Sequence, residues 1–222
     1  LGLDGWIDEV ARDAGAGGGV VRVGDRVPHV VTDAEGPDPH WWGDPRNVQA
    51  AARVTAAAIA AAAPRDGARV AARGRAFART LRRLDATLRR CFAAVPAPER
   101  RIVTDHDAFA TFARRYGIVV AGAVIPSQTT RAQPSAGDLA ALSAVIRREH
   151  VRTIYPESAV SPKLAEALAA QTGARVGTPL YADTLGPAGS DGATYVGAMR
   201  HNADALMRGF TGGTRGCGEA GS

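Results

Sequence analysis

Lysine is nearly missing from this 222-residue chain. Lys163 is the only one, so the formal net charge of +5 is carried by arginine. The arginines alternate with Asp and Glu along much of the chain, and no ladder of basic and aromatic residues suited to single strands is present. Nucleic acid is therefore not an expected partner, and a pair such as Arg89-Arg90 reads as a solvated helix face. Cysteine is equally sparse. Cys91 and Cys217 have no Cys-x-x-Cys partner, so neither thiolate zinc chemistry nor a disulfide framework is suggested. No apolar run is long enough to cross a membrane. The helix motif His-Glu-x-x-His, the nucleophile elbow Gly-x-Ser-x-Gly and the phosphate loop Gly-x-x-x-x-Gly-Lys-Ser/Thr are all absent. The glycines from 15 to 19 follow a helical pattern, the wrong side for cradling phosphate. A metallohydrolase is a poor reading.

What is present begins with Asp38-Pro39-His40-Trp41-Trp42-Gly43-Asp44-Pro45. Asp44 suits a helix N-cap and Pro45 the first helical position, so the Ala-rich run 46–63 is expected to be helical. His40 then stands on a loop just before a helix, beside Trp41 and Trp42. Upstream, Leu3, Trp6, Ile7 and Val10 recur at helical spacing over 3–13. Val20 to Val23 is a strand candidate, and 24–39, which contains His29, is loop. Downstream, Val70, Phe77, Leu81, Leu84, Leu88 and Phe92 form one apolar stripe on a long helix over 65–95, ended by Pro96 and Pro98.

From residue 99 strands and helices alternate. Strands are expected at 101–104, 118–125, 151–155 and 174–180, with helices at 107–116, 137–149, 161–172 and 193–210. That order argues a parallel sheet covered by helices. In such sheets ligands bind beyond the carboxyl ends of the strands. His106 follows the first of these strands, Glu157 the third and Asp183 the fourth, so all three converge on one edge. Each alone is an ordinary structural residue or helix cap. Together, with His40 arriving from another lobe, they make a set of imidazoles and carboxylates that suits zinc, manganese or iron.

These segments resemble the solute-binding proteins of zinc and manganese ABC transporters, the metal-binding lipoprotein and adhesin family. Leu1 to Trp6 resembles its Asn-Gly-Leu-Gly-Leu-Asp region, and Asp38 to Pro45 its Asp-Pro-His-x-Trp-x-Asp-Pro. Asp105 to Phe109 with Arg115-Tyr116-Gly117, Glu157 to Lys163, Tyr181 to Gly186, and Tyr195, Met199 and Asn202 match further blocks in order.

The resemblance implies an α/β protein of two lobes, each a parallel sheet flanked by helices, joined by one long rigid linker helix. The expected divisions are 1–64, a partial N-terminal lobe; 65–95, the linker; 96–210, the C-terminal lobe; and 211–222, a disordered tail. It implies metal ligands at His40, His106 and Asp183, with Glu157 and Trp42 around them. His106 at its position tilts the metal toward zinc, with manganese the alternative. The implied role is extracytoplasmic capture of the ion and delivery to an ABC permease, with no bond made or broken. An adhesion or interaction protein on the same scaffold is the rival. The family's first histidine ligand, signal peptide and lipid-anchor cysteine lie upstream of its Leu-Gly-Leu-Asp region. The expectation is thus of a chain read without its N-terminal segment, monomeric when complete and bound to the membrane only through that missing anchor. Imidazole ligation also implies that affinity falls below about pH 6, where free histidine takes a proton.

Overall fold

A computed structural model of the chain describes Leu1, residues 3–16 and residues 19–219. Its elements in chain order are α1 (Trp6–Asp13), a short hairpin of β1 (Thr32–Asp33) and β2 (Gly36–Pro37), α2 (Pro45–Ala62), α3 (Gly67–Ala93), β3 (Arg101–His106), α4 (Ala110–Tyr116), β4 (Val119–Ile125), α5 (Ala136–Arg148), β5 (Thr153–Tyr155), α6 (Lys163–Thr172), β6 (Arg175–Val176) and α7 (Tyr195–Phe210).

The N-terminal part departs from expectation in three ways. Helix α1 forms, but Trp6 and Val10 of its apolar stripe are exposed. Val20 to Val23 is not a strand. Among the described residues no neighbouring strand offers it a hydrogen-bonding edge, and an unpaired strand has no ladder to hold it. The expected loop 24–39 contains the β1–β2 hairpin. Parallel sheet is therefore confined to the C-terminal part among the described residues.

Helix α2 starts as its residues dictate: the Asp44 carboxylate accepts from the Arg46 amide at 2.9 Å, and Pro45 takes the first turn. Its alanines let α3 lie close. A Cβ at Gly74 would stand 3.3 Å from the Ala56 Cβ, and one at Gly67 3.5 Å from the Ala60 Cβ. Helix α3 has 27 residues, about 40 Å at the usual rise. Leu81, Leu84, Leu88 and Phe92 are buried against α4 and α7. Val70 and Phe77, earlier in the stripe, reach only the α2 side and stay partly exposed. Asp85, on the buried side, pairs with the Arg115 guanidinium, which pins the second half of the helix to α4.

The sheet runs β4-β3-β5-β6, all parallel. Alternation along the strands feeds two cores. Ile102 and Tyr155 join α3, α4 and α7; Val103 and Ile154 join α5 and α6. The last strand is shorter than the expected 174–180. Beyond Val176 the Gly177 amide still donates to the Ile154 carbonyl at 2.8 Å, but Pro179 has no amide to donate, and contact resumes at Leu180 as a bridge to Glu157. Both β3 and β5 deliver their carboxyl ends to this edge.

The tail also differs from expectation. Cys91 near the end of α3 and Cys217 beyond α7 form a disulfide, with Cα atoms 5.4 Å apart. Thr211 to Cys217 is ordered by hydrogen bonds, including the Arg215 amide to Thr211 Oγ1 at 3.2 Å and the Cys217 amide to Asp204 Oδ1 at 3.0 Å. Residues 220–222 lie outside the described residues. Two cysteines separated by 126 positions carry no local spacing signal; only the fold brings them together.

Two stability changes are expected in urea unfolding. Leu84→Ala should cost about 2–5 kcal/mol, the range for deleting a buried leucine side chain, and a loss under about half a kcal/mol would contradict the packing of α3. Replacing both cysteines by serine should cost about 2–5 kcal/mol. Unchanged stability would mean that the pairing does not form in solution.

Candidate metal centre

The site is built on two histidines, each held by a carboxylate at Nδ1. The Asp38 side chain accepts from the His40 amide and faces His40 Nδ1, both at 2.8 Å. Its other oxygen accepts from Thr111, at 2.6 Å from the hydroxyl and 3.2 Å from the amide, so Asp38 also ties the loop to the first turn of α4. His106, the last residue of β3, has Nδ1 against Glu157 Oε1 and its amide 3.2 Å from the same oxygen. The Glu157 amide in turn donates to Asp105 Oδ2 at 3.2 Å.

A carboxylate at Nδ1 fixes a proton there and turns Nε2 toward the cluster, where it can coordinate once any proton it carries is displaced. Both Nε2 atoms are buried and without a hydrogen-bond partner. They point to one place. His40 Nε2 lies 3.3 Å from Asp183 Oδ1 and His106 Nε2 lies 3.5 Å from Asp183 Oδ2. One donor atom from each of the three residues falls within 4.8 Å of the others. The imidazoles are fully enclosed, whereas the Asp183 side chain is 34% exposed, so the carboxylate forms the solvent side of the cluster.

Distant elements position Asp183. Asn202 of α7 clasps Tyr181, accepting from its amide at 2.9 Å and donating to its carbonyl at 2.7 Å. Trp42 Nε1 donates to the Ala182 carbonyl at 3.0 Å, and the Tyr195 hydroxyl donates to the Trp42 carbonyl at 2.8 Å. Trp42 also stands edge-on to His40. Gly43 is required by close approach, since a Cβ there would sit 3.0 Å from the Phe112 amide nitrogen. The β1–β2 hairpin closes on the same region: the Gln128 side chain donates to Asp33 and its amide to Glu35.

His40, His106, Asp183, Glu157 and Trp42 thus come together. Asp38 and Thr111 were not among the expected site residues. The Asp-x-His spacing was the available signal for Asp38; Thr111 had none, because its role arises from the contact between loop and α4.

Electrostatics follow from this crowding. Burial pulls the His40 imidazolium toward losing its proton, but the carboxylates of Asp183, facing Nε2, and of Asp38, at Nδ1, outweigh it and push the group up to about 9. Burial works to raise Asp38 and Asp183, yet His40, with Thr111 for Asp38 and His106 for Asp183, holds both below the ordinary carboxylate range. Asp105 is pushed up by burial and then by the charge of Glu157.

The sequence profile of the family described as zinc-uptake complex component A, periplasmic, matches residues 1–209. The chain belongs to this family. A zinc-binding protein, TroA of Treponema pallidum, is 33% identical over 175 residues, covering 77% of this chain and 56% of the relative. The solved periplasmic zinc-binding protein TroA from that organism superposes with a TM-score of 0.81 at 30% identity, over 86% of this chain and 71% of the solved one. The manganese-binding lipoprotein MntA of Bacillus subtilis is 28% identical over 218 residues, 94% of this chain and 70% of the relative. The chain therefore spans little more than half of the first relative's length. The α/β architecture is that of the zinc-uptake component family, and both zinc-binding and manganese-binding relatives are found.

For the metal-free protein the sign of the pH effect is set by His40. Its folded value is raised above the unfolded value near 6.5, so its contribution to stability is full below about 6.5 and lost as pH rises through about 9. The melting temperature of chelator-treated protein should fall between these pH values, and His40→Gln should flatten that slope. The same slope in both proteins would show that His40 is not the responsible group.

Proposed function

We propose that this chain captures a divalent transition metal outside the cytoplasm, zinc in preference to manganese, and hands it to an ABC permease. The ion is cargo: it is bound and released, and no bond is made or broken. His40 Nε2, His106 Nε2 and the Asp183 carboxylate are the ligands. Asp38 and Glu157 orient the imidazoles, and Trp42 holds the Asp183 loop. The observation that carries this reading is the pair of buried, unpartnered Nε2 atoms directed at one carboxylate. Carboxylate–histidine–metal arrangements use this orientation, and a buried lone pair with no donor facing it suits a cation. Two imidazoles with one carboxylate favour zinc, a borderline-soft ion, over manganese, which takes oxygen ligands more readily. The zinc-binding name of TroA and the manganese-binding name of MntA support the same class of cargo.

Isothermal titration with zinc and with manganese tests this directly. Zinc should bind with one-to-one stoichiometry and more tightly than manganese. Asp183→Asn keeps the shape and removes the charge, and should weaken binding while leaving the circular dichroism unchanged. Glu157→Gln should weaken it by about 10–100-fold, as for other groups that orient a ligand. Because His40 holds a proton up to about 9, zinc must displace it throughout the neutral range. Apparent affinity should then fall as pH drops through the neutral range, not only below about 6. Equal zinc affinity of the parent and Asp183→Asn, or affinity flat with pH, would reject the ligand set.

A further inference from the structure

The face of α3 that turns away from the protein is strongly basic. Arg75, Arg79, Arg82, Arg83, Arg89 and Arg90 are all exposed. At 100° per residue they fall within an arc of about 120°, opposite the arc of Leu81, Leu84, Leu88 and Phe92, and they extend over about 22 Å. Asp85 is the only acidic residue of the helix, and it is buried and paired with Arg115. Among the described residues none of the six arginines makes an ion pair; Arg83 and Arg90 reach only the hydroxyls of Thr80 and Thr87. The interleaving of charges seen along the chain as a whole thus fails on this helix. It leaves a straight, one-sign ridge whose repulsion is uncompensated.

We propose that this ridge docks on an anionic phospholipid surface. Charge complementarity carries the assignment. Six guanidinium groups in a row suit a plane of phosphate headgroups, and guanidinium pairs with phosphate through two hydrogen bonds. Nucleic acid fits less well. The ridge carries no aromatic residue to stack on bases, and the disulfide at the end of the same helix belongs to an oxidising compartment. The ridge also presents no large apolar side chain, so contact is electrostatic, shallow and salt-sensitive. Because it lies on the side of α3 opposite its packing, a membrane can cover it without covering Asp183. The inference stands apart from the identity of the metal.

The experiment is sedimentation of the disulfide-bonded protein with phosphatidylcholine vesicles, with and without phosphatidylglycerol, at low and high salt. Binding should require phosphatidylglycerol and be lost at high salt. Arg75→Gln/Arg79→Gln/Arg82→Gln/Arg83→Gln should weaken it by at least about tenfold, since each basic side chain near such a surface contributes independently. A control with the same loss of charge elsewhere, Arg131→Gln/Arg147→Gln/Arg148→Gln/Arg175→Gln, should bind within about threefold of the parent. Circular dichroism and zinc titration of each variant establish that the fold and the metal site are intact. Equal weakening in both variants would reduce the effect to net charge and overturn the proposal. So would indifference to phosphatidylglycerol, or a DNA duplex that binds the ridge more tightly than vesicles at the same phosphate concentration and salt.

Discussion

Two carboxylates, Asp38 and Glu157, each grip an imidazole by Nδ1, and the rest of the site depends on that grip. Without it a buried histidine can turn either nitrogen outward and carry its proton on either. With it, the Nε2 atoms are fixed in direction and chemistry. Both carboxylates are themselves buried, so each needs further donors: Thr111 for Asp38, and the His106 amide for Glu157. Burying charge is costly unless it is paired and hydrogen-bonded. The site is thus paid for by a shell of polar contacts that reaches into α4 and β3.

That shell joins the two parts of the chain. Asp38 belongs to the N-terminal loop yet is satisfied by α4; Trp42 belongs to the same loop yet holds the Ala182 carbonyl. On the far side, Arg115 bonds Asp85 of α3 and lies 3.9 Å from Asp44 at the start of α2. The loop bearing His40 is anchored on both flanks to the body that bears His106 and Asp183. Its position relative to them follows from packing, not from chain connectivity.

Much of this was legible in the residues. His106, Glu157 and Asp183 could be placed on one edge because strand ends in a parallel sheet share a direction, and His40 because Asp44-Pro45 marks a helix start right after it. What could not be read depends on contacts between distant segments. The last strand is shorter than its span of residues suggests because Pro179 has no amide to continue the ladder. The solvent-facing stripe of α1 was legible as a helix but not as an exposed one, since periodicity records which face is apolar and not whether anything covers it. The disulfide escaped because pairing of Cys91 with Cys217 is a property of how α3 and the segment after α7 meet.

That disulfide divides the donors unequally. The covalent ring it closes runs from Cys91 to Cys217 and encircles β3, β5 and the Asp183 loop, so His106, Glu157 and Asp183 all lie within it. His40 and Asp38 lie outside. A local opening that frees the N-terminal loop breaks the constellation while leaving two donors on a cross-linked body. The cross-link therefore ties two of the three donors to one body, while the third imidazole is held to them by packing alone.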